Sequence, residues 1–443
     1  MSVLNIILSV VIMLLILTVL VIVHEWGHYI AARIFRVRVN EFSIFMGPKI
    51  FSRTGRKTGT VFSLRCLPLG GFCAMEGEET TETSDSAFCN KPWWQRTIIL
   101  LAGVFMNIIL AIVVMTVIFL ANGYETRKVS VVSAYQPMAM VGLEAGDSIT
   151  EYNGYSVYNP LDFNLAKYAD GAGDSEFTVK KADGGKEKYK LVRNIDETSK
   201  NMDIRIFKIE GKQKADIGTY KAGWDGGMLV IDMARADGTG EKYEFKKITE
   251  NTADRYVCIK TEYDANNQVL RTDENLYSEK TVQSVLAGYD PYLYGFSFSY
   301  VEKGNFFKTI GNAVTYNVSL VKSVFNSLKW LITGKLGMDA MSGPIGLTTV
   351  VGDVVTAKVE IGPRIIALFQ MAALISANLA AFNILPIPGL DGGKLVFILI
   401  ELIRRGKKVP PEKEAVVSLI FLALLILFSI FVAGNDILRI IRT

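Results

Sequence analysis

Four uncharged, strongly apolar stretches constrain the fold of this 443-residue chain more than any other feature. Crossing the roughly 30 Å hydrocarbon core of a bilayer takes about 20 helical residues, and each stretch is long enough. They are residues 2–23, 97–124, 365–390 and 415–435. The sequence therefore predicts a polytopic α-helical membrane protein with four transmembrane helices. The first stretch lacks a basic flank and a small-residue cleavage site, so it is expected to be retained.

Basic residues orient these stretches across the membrane. Residues 32–96 contain ten lysines and arginines, and residues 404–413 contain five. Because basic loops stay on the cytoplasmic side, both loops are expected in the cytoplasm, with both termini and residues 125–362 outside. The net charge of +4 reflects this asymmetry and gives no support for a nucleic-acid partner. The lipid bilayer is the partner that this composition predicts.

The segment between the second and third stretches divides by composition. Residues 125–300 are punctuated by turn-forming glycine, asparagine and aspartate, and are expected to form a β-rich extracytoplasmic domain. In residues 304–336 apolar side chains recur at helical spacing, with Lys308 and Lys322 among them. This pattern favours an amphipathic helix on the membrane surface over a fifth span, within a segment covering 301–362.

The two histidines of the chain enclose the sequence His24-Glu25-Trp26-Gly27-His28. On a helix, residues i and i+4 share a face, so both imidazoles can bind one Zn²⁺ ion. Glu25 then lies beside the metal, where zinc hydrolases use a carboxylate to take a proton from water. A pair of interfacial histidines at a helix end is the ordinary alternative, but ionisable residues beside a long apolar run are usually functional.

A catalytic zinc site needs a third protein ligand, and the chain contains no third histidine. The third apolar stretch runs into residues 383–393, NILPIPGLDGG, where two prolines and three glycines interrupt the helix. Irregular backbone at membrane depth is tolerated where it is buried in protein or lines a wet cavity. Asp391 is therefore the best candidate for the third ligand. An ordinary helix end, with Asp391 at the water boundary, is the alternative.

The HExxH motif in a first span, with NxxPxPxLDG in a late one, resembles the bacterial site-2 protease family. These intramembrane zinc metalloproteases include the regulator-of-sigma-E proteases. The resemblance covers nearly the whole chain. Residues 41–48 (EFSIFMGP) and 67–72 (LPLGGF) resemble the family's cytoplasmic re-entrant β-element, here within the loop 32–96. Gly103-x-x-x-Asn107 resembles its second-span motif, and residues 342–346 (SGPIG) resemble the segment before its third span.

Carried over residue by residue, the resemblance makes His24, His28 and Asp391 zinc ligands and Glu25 the general base. It implies a zinc-dependent endopeptidase of the bacterial cytoplasmic membrane that cleaves transmembrane segments of single-span membrane proteins. The substrates it suggests are anti-sigma factors already trimmed outside the membrane, or remnant signal peptides. The two catalytic membrane halves would then be residues 1–124 and 363–443.

Two further groups of residues are candidates for holding the substrate. No histidine remains to stabilise the oxyanion, so Asn383, Asn107 or a backbone N–H in the stretch from Pro386 to Gly389 would serve. An interhelical hydrogen bond is the alternative role for either asparagine. An edge strand within residues 60–73, around Gly70 and Gly71, would pair with an unwound substrate by β-augmentation. For that segment a loop on the membrane surface is the alternative.

The extracytoplasmic domain resembles a PDZ domain. The matching segment is 136–149 (QPMAMVGLEAGDSI), followed by Asn153-Gly154, with Val141 where such domains commonly have alanine. Residues 294–298 (YGFSF) resemble the closing strand, so residues from about 200 to 290 are expected to be an insertion or an appended β-subdomain with short polar strands. The resemblance implies contacts with peptides or substrate ectodomains at this PDZ-like domain, and exclusion of bulky substrates.

Three other functions compete with this one. A membrane-anchored PDZ binding or scaffold protein with a degenerate metal site is opposed by the presence of every required residue type. A metalloprotease with a soluble catalytic domain would carry its motif in that domain, whereas this motif adjoins a span. A transporter with a broken helix is the third, and metal analysis would separate it from the enzymes.

Overall fold

The computed structural model describes residues 3–78, 84–171, 173–196, 201–226, 228–250, 253–278, 294–337 and 343–442. Ser342 of the SGPIG segment and residues 279–290 of the expected insertion lie outside the described residues. The chain divides into two compact units. One contains Met1–Asn122 and Gly304–Thr443, and the other contains Gly123–Lys303.

Eight α-helices lie in the described ranges: α1 (Val3–Ile34), α2 (Trp93–Asn122), α3 (Pro160–Asp170), α4 (Phe306–Ile332), α5 (Pro344–Thr356), α6 (Ile361–Asn383), α7 (Asp391–Ile403) and α8 (Pro411–Arg442). All except α3 belong to the first unit. Helices α1, α2, α6 and α8 are long and apolar enough to cross a membrane. They confirm the four predicted spans.

Each of the four helices departs from its predicted bounds, and two of these departures concern the candidate ligands. Helix α1 continues to Ile34, beyond the predicted end at residue 23, and contains the HExxH motif, as the helical spacing of the two histidines predicted. Helix α6 ends at Asn383 rather than at residue 390. Pro386 and Pro388 explain the early end, because proline has no N–H to donate and disfavours helical conformation in the residue before it.

Residues 384–390 connect α6 to α7 in a compact turn, in which Gly389 has a φ of +96° that favours glycine. The first turn of α7 packs directly on this connection. A Cβ on Gly392 would lie only 2.6 Å from the carbonyl oxygen of Ile384. The absence of a side chain at that position therefore lets α7 begin at Asp391, close to the end of α6.

The predicted β-element is a hairpin of two long strands, β1 (Val39–Thr54) and β2 (Val61–Met75). Each strand bends and contributes two segments to a small sheet. The order of the segments across the sheet is 51–54, 61–64, 41–44 and 71–74. The predicted strand within residues 60–73 is therefore present, with 71–74 at an edge of the sheet. The re-entrant position of this hairpin in a membrane stays a prediction.

A buried apolar cluster joins the hairpin to α1, α2 and α7. Its members include Ala32, Val39, Phe42, Leu100 and Ile398. Burial of a side chain as large as leucine or phenylalanine contributes about 1.5–3 kcal/mol, so this cluster holds the hairpin firmly beside the helices.

The predicted amphipathic helix is present as α4, which packs on α2 and α6. It buries Ala313, Leu320 and Val324 while Phe307 is exposed. Its position on a membrane surface stays a prediction. Helix α5, within the same 301–362 segment, is a short apolar helix that the sequence pattern did not single out.

The second unit is built mainly of antiparallel strands. They are β3 (Tyr124–Glu125), β4 (Val131–Val132), β5 (Ser148–Tyr152), β6 (Tyr155–Ser156), β7 (Ser175–Lys180), β8 (Lys186–Asp196), β9 (Asn201–Glu210), β10 (Gln213–Asp225), β11 (Met228–Arg235), β12 (Gly240–Glu250), β13 (Ala253–Tyr263), β14 (Val269–Ser278), β15 (Phe296–Ser297) and β16 (Val301–Glu302). Ten of them form one sheet in the order β14-β13-β12-β11-β10-β9-β8-β7-β5-β6.

Strands β9 to β14 occupy most of the expected insertion. They are longer than the short strands expected there, with up to 13 residues in β10, because apolar side chains alternate along them and one face is buried. Buried side chains of this kind are Met202, Ile204, Ile206, Leu229, Ile231 and Met233. The insertion continues the sheet of β5–β8 strand by strand rather than forming a sheet of its own.

The segment expected to close the PDZ-like module contributes to an aromatic core. Tyr294 donates or accepts a hydrogen bond of 2.7 Å with the hydroxyl of Tyr152, and its ring packs edge-on against Phe177. Phe296 pairs with Val132 of β4. Residues 294–298 thus join the sheet elements to α3, although the assignment of the module as a PDZ domain stays a prediction.

Candidate metal centre

Both histidines of the HExxH motif lie on one face of α1, one helical turn apart. His24 and His28 are each only 6% exposed, and their Nε2 atoms are 3.1 Å apart. Residues i and i+4 of a helix lie one above the other, which explains why the two rings converge on one point.

Helix α7 brings Asp391 to the same point. Its Oδ2 lies 3.0 Å from Nε2 of His24 and 3.4 Å from Nε2 of His28. The three donor atoms all lie within 4.8 Å of one another. Two nitrogen donors from the start of the chain thus meet an oxygen donor from near its end.

The spacing of these three donors fits a zinc ion. Tetrahedral zinc with bonds of roughly 2.0–2.1 Å separates neighbouring ligand atoms by about 3.3 Å. The separations in this chain are 3.0, 3.1 and 3.4 Å. Two imidazoles and one carboxylate are also a donor set of catalytic zinc sites, which keep a fourth position open for water or substrate.

The ring of His28 is oriented from behind by α2. Its Nδ1 lies 2.9 Å from the carbonyl oxygen of Ile99. A carbonyl oxygen can only accept a hydrogen bond, so Nδ1 carries the proton and Nε2 keeps a free lone pair. Metal-binding histidines are commonly held by such a bond to the second ring nitrogen.

Asn107 of α2 stands in the corresponding place behind His24. It is fully buried, and its Nδ2 lies 3.2 Å from Nδ1 of His24. In this orientation Oδ1 of Asn107 has no hydrogen-bond partner among the described residues. A 180° flip exchanges the two amide atoms. Oδ1 would then accept a hydrogen bond from Nδ1–H of His24, which leaves Nε2 free for a metal.

Asn383, the last residue of α6, lies on the side of the His24 ring opposite to Asn107. Its Nδ2 is 3.3 Å from Nε2 of His24, so it faces the donor cluster directly. Pro386 lies in the connection between α6 and α7, beyond this asparagine. The two asparagines named from the sequence thus contact different nitrogens of one imidazole.

Glu25 is half-buried at a place where α1 faces β2. A Cβ on Gly71 would lie 3.9 Å from Cγ of Glu25 and 3.3 Å from Cγ1 of Val21. The edge segment of the hairpin therefore runs directly beside Glu25. Gly70 has a left-handed φ of +76° and lies against Met46 rather than against α1.

Two glycines allow α1 and α2 to approach closely at the metal centre. A Cβ on Gly103 would lie 2.7 Å from Cε1 of His28 and 2.8 Å from Cε1 of His24. A Cβ on Gly27 would lie 2.7 Å from the carbonyl carbon of Ala102. The sequence analysis named Gly103 only as part of the motif Gly103-x-x-x-Asn107, and it missed Gly27. The small size of Gly27, between the two histidines, could have indicated a close helix contact there.

Two ion pairs that the sequence did not reveal hold α7 in place. Lys394, one turn after Asp391, pairs with Glu78. Nη2 of Arg96, on α2, lies 2.7 Å from Oε2 of Glu401, and both side chains are largely buried. Because α7 begins with Asp391, these pairs also fix the position of that carboxylate.

Known proteins resemble this chain over almost its entire length. The model of peptidase family M50 matches residues 12–428. The zinc metalloprotease RasP of Shouchella clausii is 26% identical over 438 residues, which cover 95% of this chain and 97% of that protein. The regulator of sigma-W protease RasP of Bacillus subtilis is 26% identical over 515 residues, covering 97% and 98%. A candidate zinc metalloprotease of Clostridium acetobutylicum is 28% identical over 429 residues, covering 97% of each.

These matches agree with the geometry of the donor cluster. The family model includes the helix with both histidines as well as the helix that carries Asp391, and the relatives are named as zinc metalloproteases. The four apolar helices are those of a membrane protein. The chain therefore belongs to peptidase family M50, the site-2 protease family of zinc metalloproteases, and its cofactor is Zn²⁺.

Proposed function

We propose that this chain is an intramembrane endopeptidase that cleaves transmembrane segments of other membrane proteins. The observation that carries the proposal is the position of Asp391, whose Oδ2 lies 3.0 and 3.4 Å from the Nε2 atoms of His24 and His28. The carboxylate is the third ligand beside the two histidines of α1, and α1 is long and apolar enough to span the bilayer. Peptide hydrolysis would therefore take place at or near membrane depth.

The proposed chemistry assigns separate tasks to the ligands and to Glu25. His24, His28 and Asp391 hold the ion, which when bound supplies Lewis acidity to water and to the substrate carbonyl. Glu25 takes a proton from the attacking water and returns it to the leaving amine, as a general base and then a general acid. Its half-buried place beside His24 supports this role.

We assign the two asparagines different roles. Asn383 faces Nε2 of His24, the side that the substrate carbonyl must approach, so its amide is placed to donate to the oxyanion. Asn107 faces Nδ1 and orients the ring instead. Asn383→Leu should lower cleavage with zinc retained, whereas Asn107→Leu should lower zinc content. The reverse pattern would contradict the assignment.

The substrate is proposed to bind in an extended form. A helix hides its peptide bonds, so a transmembrane substrate must unwind locally before hydrolysis. Segment 71–74 is an edge of the hairpin sheet and passes beside Glu25. Pairing of the unwound chain with this edge, around Gly70 and Gly71, would bring its peptide bonds to the catalytic carboxylate.

The proposed substrates are anti-sigma factors already shortened outside the membrane, and the name of the Bacillus subtilis relative, a regulator of sigma-W protease, agrees with a role in controlling a sigma factor. Remnant signal peptides are the other class proposed.

In a bacterial cytoplasmic membrane, the hairpin would lie on the cytoplasmic side, and the termini and residues 125–300 outside. Labelling of the exposed Cys66 by an impermeant maleimide from the outer side would contradict this orientation.

The extracytoplasmic domain is proposed to contact peptides or substrate ectodomains and to exclude bulky ones. A groove of about 280 Å³ lies between α3 and residues 294–299, lined by Phe163, Phe296 and Phe298 among others. Its apolar walls beside a short strand suit an extended peptide. Deletion of the domain should admit substrates with large ectodomains, and unchanged selectivity would contradict this role.

A scaffold with a degenerate metal site is disfavoured by the complete donor set.

Cleavage of a model single-span substrate by the purified, reconstituted protein tests the function. Glu25→Gln should lower the cleavage rate by about 10²–10⁴-fold, the usual contribution of general acid–base catalysis, while zinc content stays unchanged. The exposed Glu360 gives a matched control, Glu360→Gln, which should cleave normally. Mass spectrometry should place the cut within the apolar segment. Full activity of Glu25→Gln, or cleavage only outside that segment, would refute the proposal.

A further inference from the structure

The hairpin carries a second concave surface, separate from the edge that passes Glu25. It is a groove of about 720 Å³, within the usual size range of small-molecule sites. Its apolar part is formed by Tyr29, Ile44, Phe51, Phe62 and Leu64. Phe51, near the end of β1, is 63% exposed, so the groove leaves a large apolar side chain uncovered.

The other lining residues make one rim of this groove basic. Arg53 lines it from the end of β1, and Arg56 and Lys57 line it from the turn between β1 and β2. The sequence contains no acidic residue from 42 to 75, so Glu41 is the one acidic residue of the two strands and the turn between them. The groove therefore combines an apolar floor with a positively charged rim.

Ion pairing distinguishes the rim from the other basic residues of the hairpin. Oε2 of Glu41 lies 3.0 Å from Nζ of Lys49, and Oε1 of Glu41 lies 2.9 Å from Nη2 of Arg65. The charges of Lys49 and Arg65 are therefore compensated. Within the part of the chain that the structure describes, the three rim residues form no ion pair. Their charge remains available to an anionic ligand.

We propose that this groove binds an anionic phospholipid, with an acyl chain on the apolar floor and the headgroup phosphate at Arg53, Arg56 and Lys57. Arginine binds phosphate oxygens in a bidentate fashion. Tyr29 belongs to the spanning helix α1, five residues before that helix ends at Ile34, so the apolar floor reaches the end of a candidate span, and the basic rim borders the same groove. A lipid in a bilayer has the same order of apolar and anionic parts.

Orientation across the membrane does not account for this arrangement. The positive-inside rule depends on the number of basic residues near a span, and it does not require them at the rim of an apolar groove. The inference also does not rest on the proposed peptidase function, because none of the groove residues is a proposed metal ligand or general base.

Lipid binding by the full-length protein in detergent tests the proposal. Native mass spectrometry would measure the bound ratio of dioleoyl phosphatidylglycerol to dioleoyl phosphatidylcholine after both are added in equal amounts. The test variant is Arg53→Gln/Arg56→Gln/Lys57→Gln. The control Arg404→Gln/Arg405→Gln/Lys407→Gln removes as many charges from exposed positions of the other basic loop. Zinc content shows that each variant is folded, and Arg56→Gln alone serves if the triple variant is not.

The wild type and the control should prefer the anionic lipid. Each basic residue near an anionic surface contributes roughly a fivefold preference for the anionic lipid. The bound ratio of anionic to zwitterionic lipid should therefore be at least about tenfold lower for the triple variant than for the wild type, and about fivefold lower for Arg56→Gln. Phe51→Ser should weaken binding of both lipids. Rising salt should weaken the preference of the wild type. Equal bound-lipid ratios for the triple variant and its control would overturn the proposal. A wild-type protein that shows no preference between the two lipids but binds an acidic peptide would overturn it as well.

Discussion

At the residue scale, the two histidines present Nε2 to Asp391 because each ring is supported from behind by α2. The carbonyl of Ile99 holds His28, and Asn107 holds His24. Ser376 of α6 donates to the backbone oxygen of Asn107 at 2.8 Å, so α6 in turn is bonded to the residue that orients His24.

The absence of a side chain at residue 103 leaves space for both imidazoles. In Gly103→Ala the new Cβ would lie 2.7–2.8 Å from ring carbons of His28 and His24, so the rings must shift. We expect zinc affinity to fall on the order of 10–100-fold, as for other residues that orient metal ligands. Competition with a zinc chelator would measure it.

Gly311→Ala in α4 is the matched control, because its Cβ would meet nothing within 4 Å. Alanine has a higher helix propensity than glycine by about 1 kcal/mol, so neither substitution should impair helix formation. Unchanged zinc affinity of Gly103→Ala would show that the rings have more room than the structure indicates.

The sequence could indicate the ligands because ionisable residues are costly beside a membrane span and rarely occur there without a function. His24, His28 and Asp391 stood out for this reason, and the structure brings the three together. Ile99 could not be found in the same way, since it acts through its backbone oxygen. That role depends on how two helices pack, which no local pattern records.

At the scale of elements, the prolines after Asn383 indicated a break but not its form. The structure ends α6 at that residue and starts a new helix at Asp391. The sequence could not place this start, because it depends on the packing of Gly392 on the backbone of residue 384. The four spans were predictable from the length of their uncharged stretches, since crossing the bilayer takes about 20 predominantly apolar helical residues.

The ion pair between Arg96 and Glu401 should stabilise the contact of α2 with α7. Their side chains are only 8% and 13% exposed, and removal of one partner leaves the other charge buried and unpaired. Such changes typically cost 3–5 kcal/mol, so Glu401→Gln should lower the free energy of unfolding by about 3 kcal/mol. Denaturation in detergent would measure the loss.

Glu412→Gln, at an exposed position of α8, is the control and should leave the unfolding free energy unchanged. Zinc release from Glu401→Gln should also occur at lower denaturant concentration than from the wild type, since α7 carries Asp391. If the two variants unfold alike, the pair contributes nothing to the position of α7.

At the scale of the whole molecule, the donors come from the two ends of the chain, separated in sequence by the entire second unit. The sequence suggested a β-rich insertion from about residue 200, but not that β9–β14 extend one ten-stranded sheet. Strand order depends on pairing between segments, and alternating apolar residues in each strand do not specify which neighbour it takes.

Both the proposed hydrolysis and the roles of the surrounding residues depend on one zinc ion bound by His24, His28 and Asp391 together. X-ray absorption at the zinc edge of the purified protein would identify the ligands of that ion. We predict two imidazole nitrogens and one or more oxygens at roughly 2.0–2.2 Å, and loss of the zinc from Asp391→Ala. Sulfur ligands at about 2.3 Å, or an unchanged spectrum in Asp391→Ala, would show that these three residues do not bind the ion together.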